Sequence, residues 1–599
     1  LQTPSQLHDA ILTMDKFSNS LPVAIASIGS SKITLLVGSA ITVGADATIP
    51  DNIILWFVGP GKLFVNSGKV LTINSPSQVL AHTQQQVFDG TGTVSFTNGG
   101  IVSPGWWGFS SGGTAAANAD AYNACTASLT ATGGAIVIPP TGAAHQVDDT
   151  LTHPAKPMSV IGAHPELSII ESTATASLKH GLTFTRSHHV RNLTIKTSAS
   201  LASNYDMYGV RMDLDGVTVS GGNQAVKWES VKVRGFNNSF YCDGGDAYNV
   251  DRLYFNDLDA QCSGPASTYI GSCLYINRVT QVYGTHSQFD QNSTGEHAIY
   301  CFGSKNLVFD GFKIRNFDKG TAQAIKVVGN GVAPDDDQAY PTWSIRNMDI
   351  ADGLNGILCG IYGTETLEAL TVENCKFVDV DTSAAILGCV YLSAAGTSNI
   401  RTLRVSGIST RNCLYQGVHV ATGASATMGP VSIRDCKGYN WSTTSVGTYT
   451  WFGTSGTGTF GPITLEGIEA DGNSKGRTIL SGSGQASTIS RIRYSGLKEV
   501  NTTNMGRPIS LPEADATPSL AIGNWFVQPN TGAQNITAYD NLEANQTYYI
   551  RFSTANTTLI DGANLQLAGS TNYNPPANTF MTFYCSDGTA LYEVSRSVN

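Results

Sequence analysis

The fold class this sequence predicts is an all-β parallel solenoid, and three observations predict it. A short bend motif recurs through the middle of the chain. Its spacing is too wide for a leucine-rich repeat, whose Leu/Asn signature is absent, and a propeller would need four strands in each repeat of about 40–45 residues. The composition is also unusual: charged residues make up 13% of 599 residues, against roughly 25% in an ordinary soluble protein. Length alone would suggest two to four compact domains. The low charge, with 63 glycines and turns filled by Ser, Thr and Asn, points instead to a stacked architecture whose core grows with length.

The motif reads apolar, any residue, Gly/Asn/Asp, then usually apolar. Its thirteen copies carry Gly162, Asn192, Gly216, Gly235, Asp257, Gly284, Gly311, Asn347, Asn374, Gly407, Asp435, Gly467 and Gly496 at the third place. The intervals run from 19 residues (Gly216 to Gly235) to 36 (Gly311 to Asn347). Gly, Asn and Asp are the residues that adopt a left-handed backbone most cheaply. One such residue between two apolar ones bends a strand while keeping both flanking side chains in one interior. Loops of varying length leave at the other corners, which explains the uneven period.

The ends differ from the middle. Residues 33–100 alternate strands such as Lys62-Leu63-Phe64-Val65 with Gly/Asn/Pro turns. An Ala-rich helix is predicted at 114–131, with Thr114 as N-cap and Gly133-Gly134 as stop. Ala115, Ala119, Tyr122, Cys125 and Leu129 share its apolar face, and it is expected to cover the solenoid's open end. After 507 the coil pattern ceases and a β-rich unit follows, with 547–552 and 580–584 as its plainest strands. The expected organisation is an N-terminal β-module (1–109), a solenoid (110–506) and a C-terminal β-domain (507–599).

Net charge is -10, from 35 Lys+Arg against 45 Asp+Glu. This excludes a protein that lives by phosphate contacts, so no nucleic-acid partner is expected. No apolar run approaches the roughly 18 residues of a membrane span, and no membrane partner is expected. The eleven cysteines include no CxxC pair and read as buried free thiols. No cofactor or metal is expected. The start of the chain carries neither an initiating Met nor a secretory signal, and reads as a boundary with an N-terminal part missing.

Three stretches in order resemble the bacteriophage tailspike depolymerases of the pectate-lyase-like family. Gly105-Trp106-Trp107-Gly108 ahead of the Ala-rich helix resembles the junction that opens such proteins. Gly133-Gly134-Ala135-Ile136-Val137-Ile138-Pro139-Pro140 with Val160-Ile161-Gly162 resembles their first coils. Asn556-Thr557-Thr558-Leu559-Ile560-Asp561-Gly562 through Tyr592-Glu593-Val594-Ser595-Arg596 resembles their C-terminal β-domains. The resemblance covers nearly the whole chain. It implies a right-handed parallel β-helix of about thirteen coils in a homotrimer. It also implies a virion location, attachment to the phage tail or baseplate through the missing N-terminal part, and cleavage of bacterial surface polysaccharide.

Hydrolysis of a glycosidic bond usually needs one protonated and one ionised carboxyl. Asp259, Asp290, Asp318, Asp352, Asp379 or Asp381, and Asp471, with Asn412 and Asn440, form a candidate acidic stripe after the bends; stacked corner residues are the plainer reading. Glu296 stands apart, because it opens the strand 297–302 from a Ser/Thr/Gly turn. Alternation turns Ile299 and Cys301 inward and Tyr300 outward, with Tyr241, Tyr275, Lys326 and Tyr362 on the same outer row. Such tyrosines suit sugar rings. The expected catalytic set is Glu296 as general acid with Asp318 or Asp290 as partner. His286, His297, Arg315 and Lys326 join the tyrosines as binding groups. Asp335-Asp336-Asp337 reads as a solvated acidic loop ahead of a calcium site. Loops at 331–343 and 441–461, the latter with Tyr449, Trp451 and Phe452, would wall a groove or meet a neighbouring subunit. Two alternatives stay open: a lyase using Lys326, Arg315 and His297, and an adhesin that binds without cutting.

Overall fold

Coils of three strands, each joined to its successor by parallel pairing, make up most of the molecule. The computed structural model describes residues 10–597 except 130–131, 175–178, 199–206, 215–223, 246–247, 263–270, 292–296, 318–322, 330–338, 382–387, 414–415, 442–449, 473–476, 480–491, 496–497, 501–508 and 521–523. The chain divides into two compact units, Leu1–Asn330 with Trp343–Leu358, and Gly331–Thr342 with Cys359–Asn599.

In the first unit a representative coil has Val279–Thr285 on a first face, Gln288–Asp290 on a second and His297–Phe302 on a third. Each strand pairs in parallel with its equivalents in the coils before and after it. Leu253, Val282 and Leu307 fill the interior behind the first face, Ala260, Phe289 and Ile314 behind the second, and Leu274, Ile299 and Ile325 behind the third. The fold is a parallel β-helix.

The bend between first and second faces is where the recurring motif falls. Nine of its eleven described copies have a left-handed residue at the third place, from Asn192 (φ 57°) and Gly235 (φ 84°) to Gly467 (φ 62°). Gly162 and Gly284 are the exceptions. Gly284 lies within its strand, where an added Cβ would come 2.1 Å from the Phe255 ring, so space and not torsion demands the glycine. The bend of that coil is made two residues later by His286 (φ 45°), an exposed residue. At Gly235 both constraints meet, since a Cβ there would lie 2.6 Å from the Thr197 carbonyl oxygen. Gly235→Ala is therefore expected to cost about 1–3 kcal/mol of unfolding free energy, measurable by denaturant titration.

The N-terminal module is itself built of parallel strands. Ala10–Thr13, Ile33–Val37, Ile53–Phe57 and Val79–Leu80 form one sheet; Ala40–Val43, Lys62–Val65 and Phe88–Asp89 a second; Ala47–Ile49, Val70–Ile73 and Thr93–Phe96 a third. A helix at Leu21–Ile28, with Pro22 in its first turn, has no counterpart in the sequence reading. The Ala-rich helix spans Ala115–Ala127, capped by Thr114, whose side chain accepts from the Ala117 N–H. It ends before the two glycines, although Ala119, Tyr122, Cys125 and Leu129 are buried as expected. The edge it was expected to cover is not open: Gly100–Val102 pairs in parallel with Gly134–Ile136.

In the second unit Thr366–Glu373, Lys376–Asp381 and Gly388–Ala394 begin a series of like coils. Trp451 and Phe452 belong to its strand Thr450–Gly456 and are fully buried. They are core residues, and the sequence reading placed them in a surface loop because the flanking Ser/Thr/Gly run hides the strand. Tyr340 and Trp343 are likewise buried strand residues. Beyond 508 the pattern changes to a six-stranded sheet that includes the antiparallel pairs Gln546–Phe552 with Thr579–Cys585 and Thr579–Cys585 with Leu591–Ser597. Its own core includes Phe526, Ile550, Phe552 and Phe583. All eleven cysteines are free and buried.

Candidate active site

The third face of the first unit gathers the polar chemistry. Its strands include Leu182–Phe184, Tyr208–Asp213, Asn238–Asp243, Ser272–Asn277, His297–Phe302 and Gln323–Val328. Because Phe240, Leu274 and Ile299 fill the interior, alternation turns their neighbours Tyr241, Tyr275 and Tyr300 outward. Register sets Arg211, Tyr241, Tyr275, Tyr300 and Lys326 in one row, roughly 19 Å long at about 4.8 Å per strand.

Tyr241 and Tyr275 stack with centroids 5.0 Å apart and planes 6° apart. Tyr300 meets Tyr275 edge-on at 5.4 Å. The flat ring faces are thus partly occupied by one another, because strand spacing is close to aromatic stacking distance. What the row offers a ligand is ring edges and hydroxyls, with a cation at each end. The Arg211 guanidinium lies 5.3 Å from the Tyr208 ring centre and 5.9 Å from that of Tyr241. The Lys326 ammonium lies 4.8 Å from the centre of the Tyr300 ring.

Two residues further along the same strands a second row brings Asp213, Asp243 and Asn277 side by side. Sequence reasoning missed this pair. The signal was present: the alternation that turned Tyr241 outward turns Asp243 outward too. Asp213 is ion-paired with Arg211, which also donates to His180 Nε2 at 3.0 Å. Asp243 is only 4% exposed. It accepts from Asn277 Nδ2 (2.9 Å), the Gly245 N–H (2.8 Å) and the Tyr241 hydroxyl (3.2 Å). Burial, with Asp213 adding to it, raises the Asp243 carboxyl above its ordinary range against those hydrogen bonds. Two neighbouring carboxyls stand in unlike environments, one ion-paired with arginine and one pushed toward its protonated form, which is the arrangement that acid–base chemistry by a carboxyl pair requires.

His297 is almost fully buried. Its Nδ1 accepts from the Gln323 N–H at 3.1 Å, and its Nε2 lies 3.5 Å from Lys326 Nζ. Burial and then the lysine charge lower its pKa to about 3. It is neutral at working pH and positions its neighbours.

The other predicted residues lie elsewhere. Glu296 and Asp318 are outside the described residues, as are Asp335, Asp336, Asp337 and Tyr449. Asp290 and Arg315 sit on the second face, adjacent in register, and His286 forms the bend already described. The Ile325 N–H donates to the Gly356 carbonyl, which sets Leu358 beside Lys326; Tyr362 belongs to the second unit. Among the described residues the aspartates do not line up as one stripe. Asp259 is ion-paired with Arg234 and shares its row with Gln288 and Lys313. Asp352 is a left-handed corner residue in the first unit, as are Asp379 and Asn412 in the second, where Asn412 donates to Asp379. Asp381, Asn440 and Asp471 have no described side chains. Among the described residues no three His, Cys, Asp or Glu side chains cluster as a metal site.

Four buried histidines predict acid lability. Burial lowers His188 and His297 to about 3, and His180 and His419 to about 4. The unfolded chain, with histidines near 6.5, then binds more protons than the native one. Stability is fully present above pH 6.5 and falls as pH drops toward 4. The expected loss is about 2 kcal/mol per histidine between pH 7 and pH 5, read as a falling denaturation midpoint across that interval.

No family model matches the chain, and no curated protein matches it. Among solved structures, the A-module of the mannuronan C-5 epimerase AlgE6 of Azotobacter vinelandii is similar at 10% identity. The match covers 66% of this chain and 99% of that one, with a TM-score of 0.33. The chemistry of the site therefore rests on this chain's own geometry.

Proposed function

We propose that this protein is a phage tailspike enzyme that binds bacterial surface polysaccharide and cleaves it internally by hydrolysis. The observation that carries the reading is the Asp213–Asp243 pair beside the tyrosine row. Asp243 is the general acid that protonates the departing glycosidic oxygen, and Asp213, ion-paired with Arg211, is its partner. Tyr241, Tyr275 and Tyr300 hold sugar rings by edge contacts and hydroxyl hydrogen bonds, while Arg211 and Lys326 mark the two ends. Glu296 is proposed as an alternative acid. The proposal includes assembly as a homotrimer, as the sequence resemblance implies.

The test is digestion of purified capsular polysaccharide, followed by sizing and mass measurement of the fragments. Hydrolysis adds one water per cut and leaves no near-ultraviolet absorbance. An unsaturated, absorbing product would establish β-elimination instead. A polymer left at full length on every capsule tried would leave an adhesin. Glu296→Gln and Asp243→Asn, compared in the same assay, decide which carboxyl is the acid.

A further inference from the structure

We propose that the second face of the first unit carries a separate, non-catalytic site for one acidic sugar residue, centred on Lys313. This rests on the glycan reading above but concerns another surface. A depression of about 350 Å³ opens there across four neighbouring strands. The two ends are fixed by ion pairs: Arg234 with Asp259, and Arg315 with Asp349 at 2.7 Å. Each arginine also donates to its partner's backbone carbonyl, so both guanidinium groups are held in place with their charge balanced. Asp290 accepts from Asn316 Nδ2 at 3.0 Å.

What remains in the middle is different in kind. Register puts Gln288 between Asp259 and Lys313, and Gln261 between Arg234 and Asp290. Adjacent strands stand about 4.8 Å apart, and successive outward positions along a strand about 7 Å. Neither glutamine amide is engaged by another described side chain, and among the described residues Lys313 forms no ion pair. Two free amides, each both donor and acceptor, match neighbouring ring hydroxyls. Asp349 stands beside Lys313 in register but is paired with Arg315, and Asp290 lines the same depression, so the Lys313 ammonium, in no ion pair of its own among the described residues, can meet one further carboxylate. The combination suits a uronic acid residue better than a neutral hexose, which leaves the ammonium without a partner. It also suits a uronate better than a bare phosphate, which takes the amide N–H donors but supplies no ring hydroxyls to their acceptor oxygens.

The test titrates the full-length protein with methyl β-glucuronide, methyl β-glucoside and inorganic phosphate, followed by ligand-observed NMR. The glucuronide is expected to bind about tenfold more tightly than the glucoside, and phosphate is expected not to displace it at equal concentration. Lys313→Gln should bring the two glycosides within about twofold of each other, and Gln288→Ala should weaken both. Equal binding of the two glycosides, an unchanged preference in Lys313→Gln, or displacement by phosphate would overturn the site. A wild type that never cleaves polymer but passes this titration removes the catalytic reading and leaves this one standing.

Discussion

Asp243→Asn is expected to lower polysaccharide cleavage by about 10²- to 10⁴-fold, the range for losing a positioned general acid. The change is nearly isosteric. The new amide oxygen still accepts from the Gly245 N–H. Asn277 Oδ1, buried and without a partner among the described residues, can turn to accept from the new amide nitrogen. The variant should therefore fold, which its unfolding midpoint will verify, while reducing-end release falls. Activity within about threefold of wild type would remove Asp243 from the mechanism. Asp213→Asn tests the partner: losing its charge lowers the Asp243 pKa, so the alkaline limb of the pH–rate profile should move to lower pH as activity falls.

The second large effect lies in the core. Trp228 is fully buried, packs against Phe240 at 5.1 Å, and donates its indole N–H to His188 Nε2 at 2.9 Å. His188 in turn stacks on Phe184 at 3.9 Å, and its Nδ1 lies 3.2 Å from the Arg186 carbonyl oxygen. Trp228→Ala opens a large cavity and leaves a buried ring nitrogen without its donor. The expected cost is about 4 kcal/mol or more. Trp228→Phe fills most of the space but still loses the hydrogen bond, and should cost roughly half as much. Denaturant midpoints of the two variants measure both.

The bends were legible because left-handed backbone is chemically selective: few residue types tolerate it, so Asn192, Asp257, Gly311 and Asn374 announce themselves. The third-face register was legible for a similar reason, since strict alternation through Ile299 and Cys301 turns Tyr300 outward. Gly284 misled because a glycine required by a neighbouring phenylalanine looks the same in sequence as one required by torsion. Asp243 was overlooked because a carboxylate after a tyrosine strand resembles any turn residue. Only register against Asp213 and burial under Asn277 distinguish it. Among the described residues the acidic stripe failed for the converse reason: Asp259 and Asp290 recur in sequence but fall on different rows, and Asp259 pairs with Arg234, which the pattern did not weigh.

The parallel coils also set the chain's folding problem. Each strand pairs with an equivalent less than 40 residues away, as His188 with Val226 or Tyr241 with Tyr275. The entropy of closing such a loop is nearly the same wherever along a unit it happens. A coil can therefore form early at many places and template the next, so the search does not lengthen as coils are added. The hazard is a slip by one whole coil, which would bring together strands of similar pattern. Unequal coil lengths work against that slip: with intervals from 19 to 36 residues, a displaced strand finds a partner whose loops do not match.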